Sequence, residues 1–329
     1  MRHWLAIFLT VGLLPLTVVA QTVRINKQQA FPKTIPPANY SGITWIGGSR
    51  YAVVDDKSPT AGFCLMTITT DSLTGIIQTA RIDTFLTCHQ PNRDEEGICY
   101  VPQTNTLFVS GEADGQVLEY DMEGQLTGRK LQMPEVFSQT YSNGGLEALT
   151  YNAVTHRFWT TSEFTLRADG VKPSLQQRVR NRLRLQSFGD DLQPKEQYWY
   201  ESDVTEVKKQ KGRSVLGVSG LAALDDGRIV VLERELFLPP KKIGSFAQVK
   251  LYVVNPNLYQ PGDTLQKTLI AEFRTKINIS NRSFANYEGI CAGPTLADGS
   301  LLLLLVCDSQ KHYVGMLKDW LRTVVLTSE

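Results

Sequence analysis

One short motif returns five times in this chain, and it constrains the fold more than any other feature. An apolar start, usually with glycine, is followed by a tight turn and then by an apolar run that closes on a carboxylate. The starts are SGITW from Ser41, EGICY from Glu96, EALTY from Glu147, SGLAA from Ser219 and EGICA from Glu288. The runs are YAVVDD, LFVSGE, FWTTSE, IVVLERE and LLLVCD, and they bring Asp55, Glu112, Glu163, Glu233 and Asp308 to matching positions. A period of roughly 50 to 75 residues rich in short strands is the signature of a propeller.

Each unit reads as four strands, dominated by Val, Ile, Leu, Tyr, Phe and Thr. The first is SGITWI, YAVVDD, FCLMTITT and GIIQTARIDTF. The fifth begins EGICAG, SLLLLLVCD and HYVGML, and its last strand is either TVVLTS at the C-terminus or TVRINKQ near the N-terminus. A helix over 313–322 is the alternative for HYVGML. The expected architecture is an all-β, single-domain propeller with four-stranded antiparallel blades, five by repeat count, or six if the termini build another. The turns between first and second strands (IGGSR, PQTN, YNAVTH, LDDGR, LADGS) are short hairpin sequences. The long links all fall at the other end of these strands. Sites favour long loops on a rigid scaffold, so that end is the candidate functional face.

First strands line a propeller channel. Two rings are therefore expected at its mouth, one of Ser41, Glu96, Glu147, Ser219 and Glu288, the other of Asp55, Glu112, Glu163, Glu233 and Asp308. Asp56, Asp94, Glu95 and Glu235 add charge nearby. Two like charges ~5 Å apart repel by roughly 3 kcal/mol at an effective dielectric of 20. Raised pKa values, an internal cation such as Arg234, or a bound metal would relieve this. Calcium suits an all-oxygen donor set, with Asp55, Glu112, Glu163, Glu233 and Asp308 as its expected ligands. Glu96, Glu147 and Glu288 are the candidate catalytic carboxylates, acting on water at an ester. Arg178, Lys241, Lys242 and Arg234 are the candidate contacts to an anionic substrate. For any one acid, the competing reading is a structural brace at a strand end. For the alternating Arg178, Arg180, Arg182 and Arg184 it is a solvated outer strand paired with neighbouring acids.

Residues 1–20 read as a secretory leader. Arg2 and His3 precede an apolar stretch, interrupted by Pro15, that ends in Val18-Val19-Ala20. A mature chain from Gln21, periplasmic or secreted, is expected; a retained anchor is the alternative. Losing Arg2 leaves 33 basic against 33 acidic residues, a balance that gives no reason to expect nucleic acid or an anionic membrane as partner. A monomer acting on a small molecule, phosphorylated or not, fits better. Cys64, Cys88, Cys99, Cys291 and Cys307 are an odd count, so at least one thiol is free; Cys291 and Cys307 are candidates for a cross-strand disulfide. Asn39, Asn278 and Asn281 head N-x-Ser sequons. His89, His156 and His312 show no ligand spacing, and no nucleophile elbow or Gly-rich phosphate loop is present.

The set SGITW…YAVVDD, RDEEGICY…LFVSGE, NGGLEALTY…FWTTSE, VSGLAALDDGRIVVLERE and NYEGICAGPTLADGSLLLLLVCD resembles the phytase-like propeller domain known as "esterase-like activity of phytase". The likeness runs from about Asn39 to Asp308. It implies a secreted β-propeller that hydrolyses phosphate or carboxylic esters. A non-catalytic propeller binding a glycan, peptide or partner protein on the same face is the alternative from a different class.

Overall fold

Every repeat unit closes into an antiparallel sheet in the order its hairpins dictate. A computed structural model describes residues 22–142, 144–209, 211–277 and 282–327. The expected leader, Gln21 and the sequons at Asn278 and Asn281 lie outside the described residues. Blade one comprises Tyr40–Gly47, Arg50–Asp55, Thr60–Thr70 and Ile77–Pro91, from the axis outward. Blade two comprises Glu95–Val101, Thr106–Gly111, Gln116–Tyr120 and Leu126–Lys130. Blade three comprises Leu146–Asn152, Arg157–Ser162, Arg182–Phe188 and Pro194–Glu201. Blade four comprises Arg213–Ala223, Ile229–Leu238, Phe246–Val254 and Thr268–Lys276. Blade five comprises Asn286–Thr295, Leu301–Asp308 and Trp320–Leu326, with Val23–Ile25 and Gln29–Ala30 both paired to its third strand. The inner strands pack against one another in a closed ring, blade five against blade one. The protein is a five-bladed β-propeller.

The two candidates for the last strand of blade five therefore both belong to it. Thr323 to Leu326 of TVVLTS lie in the third strand, and Val23–Ile25 of TVRINKQ supplies the outer one. HYVGML is not a strand: only Tyr313–Met316 is helical, a single turn. Among the described residues no helix is long and apolar enough to cross a membrane.

The core lies between blades rather than under them. Five apolar clusters each join two neighbouring blades, for example Ala52, Phe63, Ile98, Leu107 and Val109 between blades one and two. Middle strands are thus buried on both faces, which is why runs such as LLLLLV are continuously apolar instead of alternating. All five cysteines are free and buried. The candidate Cys291–Cys307 disulfide is not formed; Cys307 Sγ accepts the Trp320 N–H at 3.0 Å. Burial pushes the Cys64 thiol up to about 12, so such thiols remain protonated and behave as small hydrophobes.

The repeated glycines sit where inner strands nearly touch. A Cβ on Gly42 would lie 2.1 Å from the Glu96 carbonyl oxygen, and one on Gly289 would lie 2.6 Å from the Ser41 carbonyl oxygen. This approach narrows the axis, where a cavity of about 10 Å³, roughly the space of one water, lies between the five inner strands.

A candidate active site at the acidic mouth

All five inner strands carry an irregularity at the same place. Their pairing with the second strand shifts between Tyr40 and Ile43, Glu95 and Ile98, Leu146 and Ala148, Val218 and Gly220, and Tyr287 and Gly289. In blades three, four and five the extra residue is Glu147, Ser219 or Glu288; Ser41 and Glu96 occupy the same place in blades one and two. A bulge leaves its residue unpaired and re-aims the side chain. The first ring expected from the sequence is thus a ring of bulges. Ser41 Oγ donates to the Glu95 carbonyl at 2.8 Å, bracing the next blade. Glu96 and Glu147 are only 8 % exposed, and neither carboxylate has a hydrogen-bond partner among the described residues.

The register also corrects the second ring. The residue opposite the inner strand two places before each bulge is Asp56, Glu112, Glu163, Arg234 and Asp308, paired with Asn39, Asp94, Gly145, Gly217 and Asn286. Two expected members are displaced by one position. Asp55 accepts the Asn39 and Lys57 N–H groups at 3.1 and 3.2 Å, a strand-end brace. Glu233 is buried between blades three and four, accepting from Tyr200 at 2.6 Å and Lys267 at 2.5 Å. The five expected calcium ligands therefore do not converge. Among the described residues no group of three or more His, Cys, Asp or Glu side chains is placed to hold a metal ion. The oxygen chemistry would suit calcium; the placement does not.

Arg234 is the cation built into the mouth. It donates to Glu163 Oε1 at 2.5 Å, to Glu288 Oε1, and to Asn286 Oδ1 at 3.1 Å, while its buried Nε has no partner among the described residues. Asn286 Nδ2 also donates to Glu288 Oε1 at 2.8 Å, leaving Oε2 free of those donors. Burial, then the Glu147 and Glu288 charges, hold the Glu96 carboxyl well above its usual range. Burial, then Glu163 and Glu288, do the same to Glu147. Burial lifts Glu288 to about 7 against the pull of Arg234, and burial with Glu288 lifts Asp308 to about 8. Lys172 lies over the Phe164 ring at 3.6 Å, close enough to the mouth to act on Glu163, Glu112 and Glu147.

Other expected substrate contacts lie elsewhere. The Arg178 guanidinium donates to the Thr205 and Val207 carbonyls and ties down that loop. Arg180 donates to the Ser202 carbonyl, and Arg184 pairs with Asp169, so the basic series is structural. Lys241 and Lys242 flank an apolar cleft between blades four and five. Asn286 had no signal in the sequence, because only the register sets it opposite Asp308 and beside Arg234. A wider hollow of about 760 Å³ opens on the hairpin face beside Trp45, Tyr100 and Tyr151. Its Asp226 and Arg228 pair with each other at 2.7 Å.

The elevated carboxyls set the direction of the pH dependence. A carboxyl with a folded pKa above its unfolded value holds a proton that the unfolded chain has already released, so stability falls as pH rises through that interval. The protein is expected to melt higher at pH 5 than at pH 8.5. Glu96→Gln with Glu147→Gln should remove much of this dependence and raise Tm at pH 8.5 by about 5 °C, in calorimetric scans at both pH values. A double variant that melts lower at pH 8.5 would contradict the placement of these groups.

A five-bladed propeller with a buried acidic mouth is the class the fold and site define. The chain belongs to the phytase-like family described as "Esterase-like activity of phytase", whose model matches residues 35–309. No curated protein sequence matches it. Among solved structures it is similar to a luciferin-regenerating enzyme, at 12% identity and TM-score 0.46, covering 92% of this chain and 97% of that one. It is also similar to an endo-arabinase from Bacteroides thetaiotaomicron, at 11% identity and TM-score 0.46, covering 90% and 97%. A streptogramin B lyase gives 11% and 0.40, covering 92% and 98%. The functional reading rests on the site.

Proposed function

We propose that this chain is an exported hydrolase of carboxylic or phosphoric esters, working at the acidic mouth. The observation that carries the reading is the contrast among three ring carboxylates. Glu96 and Glu147 accept no hydrogen bond among the described residues and are held well above the usual carboxyl range by burial and neighbouring carboxylates, while Glu288 stands near 7 with one oxygen free of its Arg234 and Asn286 donors. Carboxyls whose environments separate their pKa values are suited to opposite roles. Glu288 Oε2 would take a proton from water as that water attacks the ester carbon or phosphorus. Glu96 or Glu147 would give its proton to the departing oxygen. Arg234 fixes the Glu288 rotamer, and Lys172 supplies positive charge over the rim. Protonated ring members also lower the repulsion that seven carboxylates would present to an electron-rich substrate.

The family membership supports ester chemistry, and the apolar segment at residues 4–19 supports export. Calcium is given no role in these steps. The test is hydrolysis of p-nitrophenyl acetate and p-nitrophenyl phosphate by the purified protein, with calcium binding followed separately by calorimetry. Turnover of either ester supports the reading. Inertness towards both would leave the non-catalytic binding module standing.

A further inference from the structure

We infer that the cleft between blades four and five receives an apolar arm of the substrate, which makes the substrate a hydrophobic carboxylic ester. This rests on the mouth being the hydrolytic site. The cleft has a volume of about 340 Å³ and is walled by Leu236, Leu238, Ile243, Phe284, Met316 and Leu317. Asn286 and Asp308 line it on the side of the mouth, and Lys241, Lys242, Gln310 and Tyr313 are its other polar residues. Asp308 is the ring member of blade five, and Asn286 is the residue that holds both Glu288 and Arg234. The cleft thus shares a wall with the proposed base. An arm bound there leaves its polar head at Glu288.

Its chemistry is selective. At roughly 30 Å³ for a group the size of a water or methylene, the cleft takes an arm of about ten such groups. Ile243 is 81% exposed and Met316 38% exposed, apolar surface left uncovered around a concave, mostly apolar pocket. Lys241 and Lys242, the candidate contacts to an anionic substrate, lie beside this apolar lining, and Lys242 Nζ donates to the Tyr313 hydroxyl at 2.5 Å. A polyphosphorylated ligand would lose its hydration against Leu236, Leu238 and Phe284 with little in return. An acyl or aryl chain loses nothing there.

The experiment is a chain-length series, p-nitrophenyl acetate, butyrate and octanoate, with the full-length protein. A buried methylene contributes about 0.8 kcal/mol, or roughly fourfold in kcat/KM. The octanoate-to-acetate ratio should therefore exceed ten. Leu238→Trp should fill the cleft and bring that ratio to about one. Met316→Trp, on a side chain already exposed, should do the same if Leu238→Trp fails to fold. A flat series in the wild type, or a ratio that neither substitution changes, overturns the inference. If the wild type hydrolyses none of the esters, the proposed reaction falls and octanoate binding by calorimetry judges the cleft alone. Binding that the Trp variants abolish upholds it; absence of binding overturns it.

Discussion

Glu288→Gln is expected to lower kcat for ester hydrolysis by about a hundredfold to ten-thousandfold, the range that a positioned general base contributes. The substitution isolates that role. A glutamine Oε1 still accepts from Arg234 and from Asn286 Nδ2, the two donors that fix Glu288 Oε1. What it cannot do is take a proton. With Glu288 at about 7, the wild-type rate should rise as pH passes through that value. It should then fall at higher pH, where Glu96 and Glu147 release the protons they would donate. The variant's residual rate should lack the ascending limb. The readout is a pH–rate profile for both proteins on one ester. A variant with wild-type kcat, or one that keeps the limb near 7, removes Glu288 from the mechanism.

Arg234→Met should have the largest effect on stability. Its guanidinium is buried between Glu163 and Glu288, with side-chain exposures of 5%, 8% and 14%. Removing one partner of a buried ion pair strands the other, at a cost of about 3–5 kcal/mol. Here two carboxylates are stranded at once, inside a ring already rich in acid. They can escape by taking up protons, which the medium supplies at low pH. The Tm deficit of Arg234→Met should therefore be large at pH 8, about 10 °C, and much smaller at pH 5. Calorimetric scans of both proteins at both pH values measure it. Equal deficits at the two values would mean that Arg234 contributes packing and not charge balance.

The blades were legible because a propeller repeats its hydrophobic pattern and its turn chemistry, and both survive in a single sequence. The glycines were legible as a motif, although their cause, the contact of Gly42 with the backbone of Glu96, is a tertiary fact. The second ring was legible only to within one residue. YAVVDD offers two adjacent acids, and IVVLERE offers an acid on either side of Arg234. Strand alternation cannot choose between neighbours when a bulge in the partner strand has shifted the count, and each inner strand shifts at this point. Hence Asp55 and Glu233 were expected at the mouth, where Asp56 and Arg234 stand. The apolar cleft was not legible at all. Its walls come from the second strand of blade four, from residues 241–244, from Phe284 and from residues 310–317, which no local periodicity connects.

Blade five is assembled from both ends of the chain. Thr327 N donates to the Thr22 carbonyl at 3.0 Å, and Val23–Ile25 pairs with 324–326. The molecule is in this sense a bracelet whose clasp is made last. No segment can complete the circle until residue 326 has been synthesised and, for an exported chain, delivered to the same compartment as residue 23. A chain cut short before Trp320 lacks the third strand of blade five and presents its neighbours as bare edges, open to wrong pairing. Joining the two ends and reopening the chain between blades two and three, near Gln132, would make the clasp continuous. Every blade would keep its strands, and the last obligatory step of assembly would move to a different place in the ring.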